Sequence, residues 1–300
     1  MKIVRYQAFI FLSFCIIPFL IGISYLLAFY PGIISFDSVD QWNQLSRFSF
    51  SNWHPAYHTI LMWLITRVWY SPASVALFQV VIYSLVLGYG LYTFRNELRV
   101  PYVLLILLDI AISINPINGM MVITLWKDVL YSIFVLLLTI YIFKLIDSNG
   151  TWITSQKNWF FLGLAIGNIS LLRHNGFPVG FGTLLICMIV FHNYKYFAKT
   201  LIISILFFIV VTGPLYRIFK VDKSSTQSIG IIFIHPIAAQ VDSGTHLTKS
   251  ERDFLNEIFP LKEGWTYSCY DATVLFYKGV NFQPVKEHMC QPPKFSTTHK

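Results

Sequence analysis

The sequence predicts an all-α polytopic membrane protein with about seven transmembrane helices. Three observations carry that prediction. The 300-residue chain is 55% hydrophobic and 17% aromatic with only 12% charged residues, and its mean hydropathy is positive, well outside the usual range of soluble domains. Its apolar residues gather into runs of spanning length. The net charge of +8 is scattered between those runs and forms no basic tract, so nucleic acid is excluded as a partner and the charge is read as topology in a lipid bilayer.

The first element is the apolar stretch from Tyr6 to Tyr30, behind the basic flank Lys2 and Arg5. It has about 25 residues against the about 20 needed to span. It is too long for a signal-peptide core and lacks a small-residue cleavage site, so it is read as a retained helix. Next, after a polar loop, comes "PAYHTILMWLITRVWY", Pro55 to Tyr70. It is short and carries His58 and Arg67, which suits a helix lying in the interface, with Pro55 at its first position. Further spans are expected over Ala73–Phe94, Val100–Ile114, Ile117–Ile146, Trp159–Leu172, Phe177–Phe191 and Thr200–Phe219. The small residues of "VLGYG" (86–90) favour close helix packing within their span.

Placing the N-terminus in the cytoplasm makes every inside flank basic: Lys2 and Arg5, Arg95 and Arg99, Lys144 and Lys157, Lys195 and Lys199. If residues 55–70 also spanned, "FRNELR" would fall outside and this pattern would break. The expected organisation is therefore a membrane domain over 1–219, with juxtamembrane helices in an external loop over 31–72, and an extracytoplasmic C-terminal region over 220–300.

That last region is richer in Pro, Asp, Glu and Ser. Within it, "TKSERDFLNEIF" (248–259) reads as an amphipathic helix capped by Thr248 or Ser250. Its apolar face of Leu255, Ile258 and Phe259 is expected to pack on the membrane domain. Cys269 and Cys290 lie on the oxidising side and are compatible with a disulfide, whereas Cys15 and Cys187 fall inside spans.

On this topology the polar residues collect at the outer face. Asp37, Asp40, Lys127, Asp128, Arg173 and His174 all stand at outer ends of helices, and ionisable groups at membrane depth are costly enough to mark a site. Each also has a plain structural reading. Asp37 fits either a helix cap or a general base facing a membrane-embedded substrate. Asp40, three residues on, shares its helix face, so either carboxylate fits the base. His54 and His58, four apart, suit interfacial packing, substrate hydrogen bonding or a metal pair completed by Asp37 or Asp40. Lys127 and Asp128 fit mutual neutralisation or, for Lys127, binding of a phosphate as a compact charge; Trp126 before them reads as an interface anchor. Arg173 fits snorkelling or bidentate phosphate recognition, and His174 and Asn175 follow it at the break before Gly176.

In order along the chain, "YPGIISFDSVDQ", "NWHPAYHTILMWLI", "TLWKDVLYSIFVLLL" and "LRHNGFPV" resemble motifs of the GT-C superfamily of polytopic glycosyltransferases. The nearest likeness is to bacterial members, with protein O-mannosyltransferases and the aminoarabinose and galacturonic acid transferases of lipopolysaccharide more distant. The resemblance covers about residues 1–220. It implies a GT-C-like helical bundle, an acidic catalytic residue in the first external loop, two juxtamembrane helices and a sugar donor carried on polyprenyl phosphate. Asp37 is similar in place to the loop aspartate, and His54 and Pro55 to the start of the second juxtamembrane helix. Asp128 stands near a second acidic position, although "KD" departs from the pattern there.

The expected activity is therefore inverting transfer of a sugar from a polyprenyl-phosphate donor to a cell-envelope glycan or lipid acceptor at the cell membrane. Asp37 or Asp40 would be catalytic, and Gln41, His54, His58, Lys127, Asp128, Arg173, His174 and Asn175 would bind substrate. Some members of the superfamily use a divalent metal and others none, and the residues here fit both. The alternatives are a transporter or flippase of a lipid-linked sugar, for which the mid-span Asp109 speaks, and a non-catalytic or truncated member, since relatives of this type continue with further spans.

Overall fold

The computed structural model describes residues 2–222, 225–269, 279–281 and 283–284. The chain divides into two compact units, Met1–Asp222 and Lys223–Lys300. Among the described residues every regular element is helical, and strand-like pairing is confined to two isolated bridges.

The first unit contains α1 (Lys2–Ala28), α2 (Phe36–Arg47), α3 (Ala56–Thr66), α4 (Pro72–Glu97), α5 (Tyr102–Ile114), α6 (Pro116–Val122), α7 (Lys127–Asp147), α8 (Gln156–Leu172), α9 (Gly176–Phe191), α10 (Tyr194–Val210) and the short α11 (Tyr216–Ile218). Among the described residues four stretches are long and apolar enough to cross a membrane: Tyr6–Ala28, Pro72–Glu97, Lys127–Asp147 and Tyr194–Ile218. A fifth is added if α5 and α6, bent by 66° at Asn115, count as one broken span. This is a membrane-embedded helical protein. α8 and α9, with 17 and 16 residues, are shorter than the about 20 residues of a typical span. α3 has 11 residues, about 16 Å at 1.5 Å per residue, roughly half the hydrocarbon thickness.

One expected span is corrected. Residues 117–146 do not form a single helix, because the chain is extended between α6 and α7. Ile33 N–H donates to the Ile123 carbonyl (3.1 Å) and Leu125 N–H to the Ile33 carbonyl (2.9 Å), forming a parallel bridge. The fully buried Gln79 of α4 donates through Nε2 to the carbonyls of Val122 (2.9 Å) and Thr124 (2.8 Å). These groups take up backbone hydrogen-bonding capacity that a continuous helix would satisfy internally.

Small residues set the helix spacing. The Cα atoms of Gly22 and Gly88 face Val80 and Cys15 across the α1–α4 contact, and a Cβ at either would overlap them. Gly163 and Gly167 likewise admit Ile203 and Phe207 of α10 against α8, where Ser204 Oγ donates to the Gly163 carbonyl at 3.0 Å. α5 runs alongside α1 in the same direction, with Tyr102 bonded to Ser13 near one end and the Tyr25 hydroxyl to the Ile114 carbonyl near the other. Leu12, Leu20, Leu107, Ile186 and Ile205 remain exposed on the outside of the unit, an apolar surface suited to lipid.

Polar groups concentrate at two opposite ends. At one, here the basic end, Lys144 of α7 pairs with Glu97 of α4 at 2.8 Å, Asn193 Nδ2 donates to the Gly150 carbonyl at 2.7 Å, and Lys199 lies over the Trp159 ring. At the other, the site end, α2 and α3 pack beside the start of α7. Phe48, Phe50, Trp63 and Phe219 form an aromatic cluster there, and Asn52 N–H and Asp222 N–H pair with the carbonyls of Asp222 and Phe50.

The second unit holds α12 (Ser225–Asp242) and α13 (Lys249–Ile258). Thr248 caps α13 in a capping box with Glu251, satisfying orphan N–H groups reciprocally. The apolar face of α13, Leu255, Ile258 and Phe259, packs with Ile234 and Ala238 of α12 and with Trp265. α12 was not foreseen from sequence, because Pro236 interrupts its apolar run. Cys269 is exposed; Cys290, its expected partner, lies outside the described residues.

Candidate functional site

The site is assembled at the start of α2. Ser35 is the N-cap, with its side chain accepting from Ser38 N–H while Ser38 Oγ accepts from Ser35 N–H. Ser38 Oγ also donates to the Leu125 carbonyl, tying α2 to the extended segment before α7. Asp37 is therefore not the cap, a correction to its structural reading. It stands at the second helical position, with its carboxylate free to leave the helix.

That carboxylate meets α7. Lys127 Nζ donates to Asp37 Oδ2 at 2.8 Å and Trp126 Nε1 to the same oxygen at 3.3 Å, while His54 Nε2 lies 3.8 Å from Oδ1. Trp126 is thus a half-buried donor to Asp37. Burial alone would push the Asp37 carboxyl up. The Lys127 hydrogen bond, the charge of His54 where acid pH protonates it, the charge of Lys127 and the Trp126 indole outweigh burial and leave it lowered from its ordinary value. His54 is lowered by burial and by Lys127, against the opposing pull of Asp37 and Asp40. At neutral pH the pair is a carboxylate held by an ammonium, beside a neutral imidazole.

Lys127 and Asp128 do not neutralise each other, because successive helical side chains diverge by about 100°. Asp128 instead pairs with Arg173 at the end of α8, with Nε 3.0 Å from Oδ1. The Arg173 N–H is not aligned on that oxygen, which has no hydrogen-bond partner among the described residues, so the contact is an ion pair. The Arg173 guanidinium also lies over the Tyr131 ring at 5.5 Å. Two ion pairs thus fasten the first turn of α7 to α2 on one side and to the α8–α9 turn on the other. His174 Nε2 stands 3.4 Å from the Trp53 carbonyl, and the exposed Asn175 precedes α9 without a side-chain cap.

Other expected site residues turn away. Asp40 is exposed and accepts from Gln44 Nε2 at 2.7 Å, so it stands outside the Asp37–Lys127 pair and reaches the site only through its charge on His54. Gln41 and His58 are fully buried. Gln41 Nε2 donates to Thr59 Oγ1 (2.9 Å), which leaves its Oε1 to accept from His58 Nδ1 (3.0 Å). Together they brace α2 against α3. Burial, with Lys127 and His54 nearby, pushes His58 down to about 3, so it is neutral. His54 and His58 consequently serve different partners, and among the described residues no three His, Cys, Asp or Glu side chains stand together as metal ligands.

Sequence reasoning missed the residues that hold the site from behind. Gln79 is one. Tyr57 is another: its hydroxyl donates to Asn168 Oδ1 of α8 at 2.8 Å, and its N–H donates to the Tyr216 hydroxyl at 3.1 Å. A buried amide or phenol in an apolar helix was the available signal, since such groups require a partner. Beside the ion pairs, a cavity of about 370 Å³ opens between α4, α6 and α7. It is lined by apolar side chains such as Met121, Val122 and Ile133, with Asp128, Asn118, Ser132, Trp126 and Tyr83 contributing the polar groups.

Compared with known proteins, the chain matches no family model, and neither curated proteins nor solved structures offer a match. Fold and site together define a helical, membrane-embedded protein with a compact charged centre at one end of its bundle.

Proposed function

We propose that the chain is a GT-C-like membrane glycosyltransferase that moves a sugar from a polyprenyl-phosphate donor to a cell-envelope glycan or lipid acceptor. The observation that carries this reading is the Asp37 carboxylate held at 2.8 Å by Lys127, with Arg173 and an apolar cavity alongside. A lipid-borne phosphate needs a cation at membrane depth, and a sugar acceptor needs a base; both stand in one ion pair.

As found, Asp37 is a poor base, since Lys127 and Trp126 stabilise its charged form. A donor phosphate competing for Lys127 would draw the ammonium away and raise the proton affinity of Asp37 when the substrate is bound. The acceptor hydroxyl then loses its proton to Asp37, its oxygen bonds to the anomeric carbon from the face opposite the leaving group, and the bond from that carbon to the phosphate oxygen breaks. Lys127, with Arg173 released from Asp128, stabilises the departing phosphate. Inversion follows from a single displacement. His54, neutral beside Asp37, orients the carboxylate.

On this reading α5 with α6, α8 and α9 also cross the bilayer, making seven spans. The basic end is cytoplasmic by the positive-inside rule, and the site end and C-terminal unit are extracytoplasmic. A transporter of a lipid-linked sugar is the second reading, favoured by the fully buried Asp109 in α5.

The test is sugar transfer from a radiolabelled mixture of polyprenyl-phosphate sugars by membranes containing wild type or Asp37→Asn at matched abundance. The expected result is transfer by wild type and its loss in the variant. Full activity of the variant would remove Asp37 from the chemistry, and no transfer by wild type from any donor would overturn the enzyme reading.

A further inference from the structure

We propose that Asp109 is an intramembrane proton-binding carboxyl that exchanges its proton with the site end of the bundle, by way of Tyr83 and the cavity beside Asp128. This goes beyond the transferase reading and does not depend on it.

Asp109 lies in the middle of α5 and is fully buried. Its only hydrogen bond among the described residues is a long one from Ser113 Oγ, 3.4 Å to Oδ1, and Oδ2 has none. The elements packed against it offer no cation: Tyr6–Ala28 of α1, Pro72–Phe94 of α4 and all of α6 contain no Lys, Arg or His. The titratable groups that face it are Cys15 from α1 and Tyr83 from α4, both of which interact with it electrostatically. Tyr25 of α1 bonds the Ile114 carbonyl at the far end of α5, and α6 has no titratable residue. An ionised carboxylate without a counter-charge is strongly disfavoured in such surroundings, whereas a carboxyl holding its proton is tolerated.

The route follows from three buried polar atoms that lack hydrogen-bond partners among the described residues: Asp109 Oδ2, the Tyr83 hydroxyl and Asp128 Oδ1. Native interiors leave few such atoms, and each calls for a reason. These three fall in sequence across α5, α4 and α7. Tyr83 faces Asp109 and also lines the 370 Å³ cavity, whose wall includes Asp128 at the site end. A phenol can both accept and donate a proton, so, with a water molecule bridging the gap that leaves both atoms without a direct partner, it can hand one between the cavity and Asp109 without changing its own charge. At the basic end Lys144 is paired with Glu97, and the cavity does not include that end. Exchange is therefore one-sided.

The test uses the full chain in lipid nanodiscs. Dicyclohexylcarbodiimide, which modifies protonated carboxyls in apolar surroundings, is followed by tandem mass spectrometry of wild-type peptides. In parallel, infrared spectroscopy follows the protonated-carboxyl stretching band and its deuteration in heavy water. The expected results are an adduct on Asp109, disappearance of the band on labelling, and deuteration slowed several-fold in Tyr83→Phe. Should that variant fail to fold, Ser132→Phe, which fills the cavity from its exposed wall, is expected to slow deuteration in the same way. Absence of both adduct and band would overturn the proton site. Deuteration as fast as wild type in the folded variant would overturn the route.

Discussion

His58 is the residue whose chemistry burial changes most directly. In the unfolded chain its imidazole titrates near 6.5, and in the folded protein its proton affinity falls to about 3. Because the folded value is depressed, the unfolded state takes up the proton first as the pH falls. Stability is therefore full above about 6.5 and declines towards about 3, by at most about 1.4 kcal/mol per pH unit from this one group. Thermal unfolding in detergent between pH 7 and pH 4.5 is expected to show that decline, and His58→Asn to flatten it; an unchanged slope would mean that the imidazole is not the group responsible. Asp37 behaves differently. Its folded value is depressed from 3.8, so its contribution persists through this range and is lost only at more acid pH.

Among the elements, the extended segment between α6 and α7 decides where the site forms. It stops one helix and starts the next so that Trp126 and Lys127 face α2. Gln79 supplies two of its hydrogen bonds, to Val122 and Thr124. Gln79→Leu keeps the volume of the side chain but leaves both buried carbonyls without that donor, at a cost of roughly 1–3 kcal/mol for each group left unsatisfied. The variant is expected to melt earlier than wild type and to lose the proposed transfer activity more than its remaining folded fraction explains, because Lys127 is no longer held at Asp37. Activity that simply tracks the folded fraction would reduce Gln79 to a packing residue. The α8–α9 turn has a similar constraint at Gly176, where a Cβ would collide with the Ile169 carbonyl oxygen; Arg173 and His174 owe their placement to that close turn.

For the whole molecule, the separation of a basic end from a site end makes a topological prediction. Single cysteines placed at Asn149 and at Asn43, in a background with the four native cysteines replaced, are expected to differ in reaction with an impermeant maleimide. Asn43→Cys reacts in intact cells, and Asn149→Cys only after permeabilisation. Reaction of both from one side would break the proposed arrangement of spans.

Much of this organisation was legible in the chain. Composition and the length of its apolar runs sufficed for a membrane-embedded helical protein, because burial in lipid requires about 20 successive apolar residues whatever the tertiary contacts. The short helix after Pro55 and the capped helix after Thr248 were equally plain, since caps and breakers act locally. Asp37, Lys127, Asp128 and Arg173 stood out as charges where charges are costly. Their pairing did not. Which carboxylate meets which cation depends on how α2, α7 and the α8–α9 turn converge, and residues 89 or 90 positions apart carry no local signal of it. The inward turn of Gln41 and His58, the break at Ile123–Trp126 and the roles of Gln79 and Tyr57 were likewise decided by tertiary structure, because hydrogen bonds between distant segments satisfy buried polar groups that no sequence window contains.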